Sequence, residues 1–165
     1  MSAEMLFYPL AVLCTVGALG VILARDPLHG ALWLVCSFFF LSAIYVLLGA
    51  HFVGILQIIV YAGAIMVLFL FVIMLLALTE ADLGERKVTL FKVVGGAAAL
   101  SSIGIAWTLV QKAPAAPLPP IPSHFGTVAA VGSKLFNDLP LQFETVSLLL
   151  LIAIAGAVVV AKAKI

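Results

Sequence analysis

Few side chains in this sequence could carry out acid–base or metal chemistry. The 165 residues include two cysteines, three histidines and only 9% charged residues. The cysteines, Cys14 and Cys36, form no CxxC pair, no histidines stand at ligand spacing, and no glycine-rich phosphate-binding loop occurs. The sequence therefore predicts no metal, haem, iron–sulfur cluster or nucleotide bound by this chain and no nucleic-acid partner. Both cysteines are expected to be small buried apolar side chains.

The ionisable residues lie at the ends of the apolar stretches rather than inside them. His29 and His51 stand at predicted span ends, and Glu144 stands at the predicted start of the last span, where the helix dipole favours an anion. A proton pump that works alone needs an ionisable group within the membrane. The sequence therefore argues against a self-sufficient proton transporter and favours a subunit. Its own polar candidates for a water path are Gln57 and Tyr61.

Composition decides the class of structure that positions these residues. Hydrophobic residues make up 65% of the chain and the mean hydropathy is +1.35, whereas soluble domains carry about 25% charged residues. Apolar stretches of the length that crosses a bilayer, about 20 residues, predict an all-α integral membrane protein. We expect one membrane domain, 1–165, with five transmembrane helices at 5–24, 28–48, 52–78, 90–110 and 144–161. A cleaved signal peptide is the alternative for the first span, but Glu4 precedes it and no Lys or Arg does.

The loops differ in charge. Six basic residues fall on one side of the predicted membrane and two, Lys112 and Lys134, on the other. The positive-inside rule then places the N-terminus outside and the C-terminus in the cytoplasm. The loop at 111–140 holds six of the eight prolines, which favours an extended backbone, and 126–136 could form a short surface helix. No internal repeat is visible.

The third span has its smallest residues at its centre, in "QIIVYAGAIMVL" (57–68). At α-helical spacing Gln57, Tyr61, Ala64 and Leu68 share one face, which we expect to meet protein or water rather than lipid. Two interpretations remain open. Residues 62–64 could form an ordinary packing seam, or glycine's weak helix preference could allow a π-bulge that forms and disappears.

Small residues also predict close helix packing in the fourth and fifth spans. The candidates are Gly95, Gly96, Ala153, Gly156 and Ala157. The first two spans are bulkier and are expected to meet lipid or larger partners.

Three blocks of the sequence are similar to one family. They are "GILQIIVYAGAIMVLFLFVIMLL" (Gly54–Leu76), "DPLHGALWLV" (Asp26–Val35) and "LPLQFETVSLLLLIAIAGAVVVAK" (Leu139–Lys162). They resemble the family of subunit J, called subunit 6 in mitochondria, of the proton-pumping NADH:quinone oxidoreductase, respiratory complex I. The proline-rich loop and much of the fourth span lie outside the resemblance.

The resemblance implies a non-redox subunit, without an active site of its own, in the bacterial inner membrane. It implies contacts with the lipid bilayer and with K, A, H and N type subunits in a hetero-oligomer, while FMN, iron–sulfur clusters and quinone are used by other subunits. It also implies that the third helix switches between α and π forms and so controls a water path. The residues of that gate would be Tyr61, Ala62, Gly63, Ala64, Met66 and Val67.

One position departs from part of the family. Some members carry a glutamate where this sequence has Gln57, a side chain that cannot titrate.

Three alternative functions remain open. The chain could be the equivalent subunit of a ferredoxin- or F420H2-dependent complex, a small independent transporter, or a protein with a purely structural or assembly role.

Overall fold

Helices make up the whole of the regular structure in the described residues. The computed structural model describes residues 3–76, 90–112, 122 and 124–162, and no strand occurs among them. The helices are α1 (Ala3–Leu23), α2 (Pro27–Leu47), α3 (His51–Leu76), α4 (Leu90–Lys112), α5 (Val128–Ser133) and α6 (Pro140–Ala161). All but α5 are long and apolar enough to cross a membrane. The prediction of an all-α protein with five membrane helices is confirmed.

The helix ends differ from the predicted spans by a few residues. α6 begins at Pro140, four residues before the predicted start, because proline suits the first turn of a helix. Glu144 therefore lies inside α6 and not at its first residue. The last two residues of the predicted third span, 77–78, and much of the proline-rich loop, 113–121, lie outside the described residues. The predicted surface helix at 126–136 corresponds to α5 and the π turn that follows it, Lys134–Asp138.

A side-chain cap begins α2. Asp26 accepts a hydrogen bond from the Leu28 N–H at 2.8 Å and lies 3.0 Å from Nδ1 of His29, and Pro27 occupies the first turn. The Leu28 N–H, and after it His29, lower the pKa of Asp26 below its ordinary value. α1 and α2 are thus joined by a tight, polar connection.

The first two membrane helices pack closely against each other. A Cβ added to Gly17 would lie 3.1 Å from Cβ of Ser37, and one added to Gly20 would lie 2.5 Å from the ring of Trp33. Ser37 Oγ donates to the carbonyl of Cys14 across the seam at 3.1 Å. Two glycines thus let one face of α1 approach the larger side chains of α2. Most residues of both helices are not buried within the chain, so the expectation that these spans meet lipid or larger partners stays a prediction.

The cysteines differ from each other in burial. Cys14 is half-buried in the α1–α2 seam, and its Sγ lies 3.5 Å from Ser37 Oγ. Cys36 is exposed on the surface of this chain, so the expectation of a buried side chain was wrong for Cys36.

The fourth and last membrane helices stand in contrast to this unit. Every described side chain of α4 and α6, including Ala153 and Ala157, is exposed. A Cβ added at Gly95, Gly96 or Gly156 would meet nothing within 4 Å in the part of the chain that the structure describes. The close packing predicted for these faces is therefore not made within the described chain.

Candidate functional site in the third helix

α3 changes its helical form at mid-span. An α-helical start, His51–Leu56, is followed by a π-helical segment, Gln57–Ile65, and then by a second α-helical part, Met66–Leu76. The Met66 N–H bonds to the carbonyl of Tyr61, five residues earlier, which is the π-helical pattern. The prediction of a π-bulged third helix is confirmed.

The predicted gate residues fall on both sides of the end of this segment. Tyr61, Ala62, Gly63 and Ala64 lie within it, and Met66 and Val67 begin the α-helical part that follows. Gln57 is its first residue. The segment thus begins four residues earlier than the stretch that the family resemblance indicated.

Glycine has a local reason to stand in the π segment. A Cβ added to Gly63 would lie 3.3 Å from the carbonyl oxygen of Ile58 in the same helix. That separation is tighter than an ordinary van der Waals contact, and Ile58 belongs to the π segment itself. A side chain at position 63 would therefore press on the backbone that the π form creates.

The buried residues of the segment follow the π-helical period. Gln57 is 7% exposed, Ala62 9% and Met66 3%, so burial recurs after five residues and then after four. The stripe predicted at α-helical spacing is not the buried one, because Leu68 is 64% exposed and Tyr61 and Ala64 are exposed as well. A wider turn carries the face that packs inward one residue further along the chain.

Contacts with α2 hold the π segment and the turn before it in place. Ser42 Oγ of α2 donates to the buried carbonyl of Gly54 at 2.7 Å. A Cβ at Gly54 would lie 2.9 Å from Val46. The rings of Phe38 and Tyr61 pack edge to face, with centroids 5.8 Å apart, an arrangement worth about 0.5–1.5 kcal/mol.

Ser42 and Phe38 of α2 contact this site but were not among the residues predicted from the sequence. A hydroxyl within an apolar span is a recognisable signal, since such groups bond across helices in membranes. Phe38 gave no signal, because it stands in a run of three phenylalanines, 38–40.

The segment carries an amide and a phenol, and no carboxylate occurs in α3. Gln57 offers two N–H donors and an acceptor oxygen, and Tyr61 offers a hydroxyl. Within the described ranges no three His, Cys, Asp or Glu residues lie close enough together to hold a metal ion. The segment therefore offers polar groups that can orient water or a neighbouring polar group.

Five apolar helices, one of them π-helical at mid-span, define the chain as a multi-pass membrane protein. Residues 17–160 match the NADH-ubiquinone/plastoquinone oxidoreductase chain 6 family. The chain is similar to NADH-quinone oxidoreductase subunit J of Rhodobacter capsulatus, with 37% identity over 92% of this chain and 78% of that protein. With subunit J of Escherichia coli K12 it shares 38% identity over 94% of this chain and 83% of that protein. F(420)H(2) dehydrogenase subunit J of Methanosarcina mazei is 30% identical over 93% of this chain and 87% of that protein.

The chain belongs to the NADH-ubiquinone/plastoquinone oxidoreductase chain 6 family. It is a membrane-embedded subunit of an oxidoreductase complex, and it functions together with other subunits. The family predicted from the three sequence blocks is confirmed.

Proposed function

We propose that this chain, as a non-redox subunit of the membrane arm of NADH:quinone oxidoreductase, helps to couple quinone reduction to proton translocation through a change in the form of α3. The observation that carries the proposal is the spacing of the buried residues in the π segment. Gln57, Ala62 and Met66 are buried in the π form. In a continuous α-helix that began from the same Gln57, the inward positions would instead be Tyr61 and Ala64.

Conversion between the two forms therefore exchanges one inward-facing group for another. In the π form Ala62 is buried, whereas Tyr61 packs its ring on Phe38 of α2 and stays 48% exposed; the α form would bury the phenol of Tyr61 instead. One residue of an α-helix corresponds to about 100° of rotation, so the part of α3 after the segment would also turn. A phenol that enters or leaves a buried position beside Gln57 makes or interrupts a chain of hydrogen-bonded water.

The charged groups that carry protons would belong to neighbouring subunits. The apolar parts of α3 carry no Asp, Glu, Lys, Arg or His after His51, so a water path through this helix must begin and end at ionisable groups elsewhere. The neighbours in this proposal are the K, A, H and N type subunits. FMN, the iron–sulfur clusters and the quinone site would lie outside this chain, which would have no active site of its own. The chain would lie in the bacterial inner membrane with its N-terminus outside.

The electron donor of the complex has a second candidate. The similarity to an F(420)H(2) dehydrogenase subunit favours a complex with another input module, at 30% identity. The identities of 37% and 38% to two NADH-quinone oxidoreductase subunits favour NADH. Purification of the complex in mild detergent and identification of every co-purifying chain would decide between them, and recovery of this chain alone would favour an independent transporter.

Substitution of Gly63 tests the change of form. Gly63→Ala favours the α form by about 1 kcal/mol of helix preference, and its Cβ would press on the Ile58 carbonyl. We expect the complex to assemble and to translocate fewer protons per quinone reduced. A preference of about 1 kcal/mol changes an equilibrium about fivefold, so this ratio should fall by about fivefold at most. Gly63→Leu should lower turnover further. Proton translocation and quinone reduction in membrane vesicles are the measurements.

The matched control is Gly30→Ala. Gly30 is another helical glycine, buried in α2, but a Cβ there would make only ordinary contacts, at 3.6 Å. Gly30→Ala should therefore behave like the unmodified complex. Normal coupling in both Gly63 variants would overturn the proposal, and loss of assembly in Gly63→Ala would show that the site serves packing instead.

A further inference from the structure

A short segment between α4 and α6 reaches back to the connection between α2 and α3. We call residues 124–127 the clasp. Its turn is held by its own bonds: the Phe125 N–H donates to the Pro122 carbonyl at 2.9 Å, and Thr127 Oγ1 donates to the His124 carbonyl at 2.7 Å. Thr127 also accepts from the Ala130 N–H at 3.2 Å and so caps α5. The clasp is thus a defined structure at the start of a helix.

The clasp meets the α2–α3 connection backbone to backbone. Gly126 and Gly49 both have positive φ, 71° and 78°, a conformation that only glycine adopts without strain. A Cβ at Gly126 would overlap the carbonyl oxygen of Gly49 and would lie 2.9 Å from Cα of Ala50. A Cβ at Gly49 would lie 3.8 Å from the Phe125 ring. This contact therefore depends on the absence of a side chain at Gly126.

The same contact reaches the first turn of α3. The carbonyl of Gly126 accepts a hydrogen bond from the Phe52 N–H at 3.0 Å. The first N–H groups of a helix have no partner within the helix, and Ala50 at the N-cap position supplies no side-chain bond. The clasp therefore provides from a distant part of the sequence an acceptor that the start of α3 lacks.

The rest of the segment stands further from α3. A cavity of about 600 Å³ separates Ala50 and Val53 from residues of α5 and the π turn after it, among them Val131, Lys134 and Leu135. Lys134 forms its ion pair within the same turn, with Asp138 at 2.7 Å. The hydrogen bond to α3 thus comes from Gly126, while the Phe125 ring lies near Gly49 in the connection before α3.

We propose that the clasp positions the N-terminal end of α3, so that a change in the π segment turns the C-terminal half of the helix and not the N-terminal half. This inference rests on the proposed function, since it assigns a direction to the change of form. Conversion of π to α rotates the two ends of α3 relative to each other. With Phe52 bonded to Gly126 and Gly54 bonded to Ser42, the N-terminal end stays on α2. The rotation then moves Met66–Leu76.

The test is Gly126→Ala in the full complex, with Gly132→Ala as the matched control. Gly132 lies in α5 of the same segment, and a Cβ there meets nothing within 4 Å among the described residues. Amide hydrogen exchange, followed in peptides that cover 51–56 and 57–66, is combined with proton translocation and quinone reduction. We expect exchange at Phe52 to rise about fivefold in Gly126→Ala, as for the loss of one net hydrogen bond, and exchange in 57–66 to rise with it. Coupling should fall while Gly132→Ala stays unchanged.

Each other outcome overturns the inference. Unchanged exchange at Phe52 would show that the clasp does not cap α3. Faster exchange at Phe52 with normal exchange in 57–66 and normal coupling would show that the clasp anchors only its own segment. If Gly126→Ala does not assemble, Phe125→Ala removes the ring above Gly49 and is judged by the same criteria. Normal coupling in both Gly63 variants would remove the proposed function independently, and exchange at Phe52 would still test the clasp.

Discussion

The glycines of α1–α3 and those of α4 and α6 have opposite surroundings. Gly20 and Gly54 lie against Trp33 and Val46 of α2, so closely that added methyl groups would fall within 3 Å of these side chains. A Cβ at Gly96 or Gly156 would meet nothing within 4 Å in the described part of this chain. Small residues promote helix association in lipid only where another helix approaches. α1 and α3 therefore pack on α2 within the chain, whereas the flat faces of α4 and α6 make no such contact among the described residues.

The largest expected effect separates the two regions directly. Gly20→Ala forces the Trp33 ring to move, and such overpacking costs about 1–3 kcal/mol. Gly96→Ala should leave the free energy of unfolding unchanged or raise it by up to about 1 kcal/mol through helix preference. Denaturation of the full chain in detergent measures both. Equal losses of unfolding free energy in Gly20→Ala and Gly96→Ala would contradict the difference in packing between α1–α3 and α4.

The difference between the two regions can also be tested in the assembled complex. If other subunits cover α4, Gly96→Leu should lower recovery of assembled complex although the chain alone stays stable. Full assembly of Gly96→Leu would show that this face of α4 meets lipid.

A smaller effect is expected from a single hydroxyl. Ser42→Ala removes the bond to the Gly54 carbonyl, and such bonds between membrane helices contribute about 0.6 kcal/mol on average. Ser102→Ala is its control, because the bond that Ser102 Oγ makes among the described residues is to the Ala98 carbonyl of its own helix, at 2.8 Å. Unfolding in detergent should distinguish the two variants. If Ser102→Ala loses as much stability as Ser42→Ala, the hydrogen bond between α2 and α3 contributes no stability of its own.

The smallest effect concerns pH at the connection of the packed unit. The pKa of Asp26 is lowered by its bond from the Leu28 N–H and by His29. Its contribution is therefore present above the ordinary pKa of 3.8 and is lost as the pH falls through the lower folded value. Asp26→Asn keeps a capping oxygen but cannot titrate. Between pH 5 and about pH 2 the thermal unfolding midpoint should thus fall more steeply in the original chain than in Asp26→Asn. Parallel curves of midpoint against pH for the two proteins would contradict this account.

Much of the fold followed from local sequence. Apolar length predicted the five membrane helices, because each must satisfy its backbone hydrogen bonds internally in lipid. The cluster at 62–64 with Gln57 and Tyr61 indicated the third helix as the site, and the family resemblance indicated its π form. The set of residues that face inward was less accessible. An α-helical period leads from Gln57 to Tyr61, but the π turn leads to Ala62.

Helix pairing could not be predicted from small residues alone. Gly95, Gly96 and Gly156 look as suitable for close packing as Gly17 and Gly20. The choice depends on whether a partner surface of matching shape arrives at the same depth, and the sequence of one helix does not contain that information.

The sequence by itself determined the class of protein, the family and the helix that holds the π segment, since hydropathy, glycine content and motif similarity are local properties. Only the tertiary structure decided which residues of "QIIVYAGAIMVL" face α2, and that Gly126 caps the start of α3. Both depend on backbone geometry. One extra residue per turn shifts every later side chain, and a bond between Phe52 and Gly126 exists only after the chain has folded back on itself.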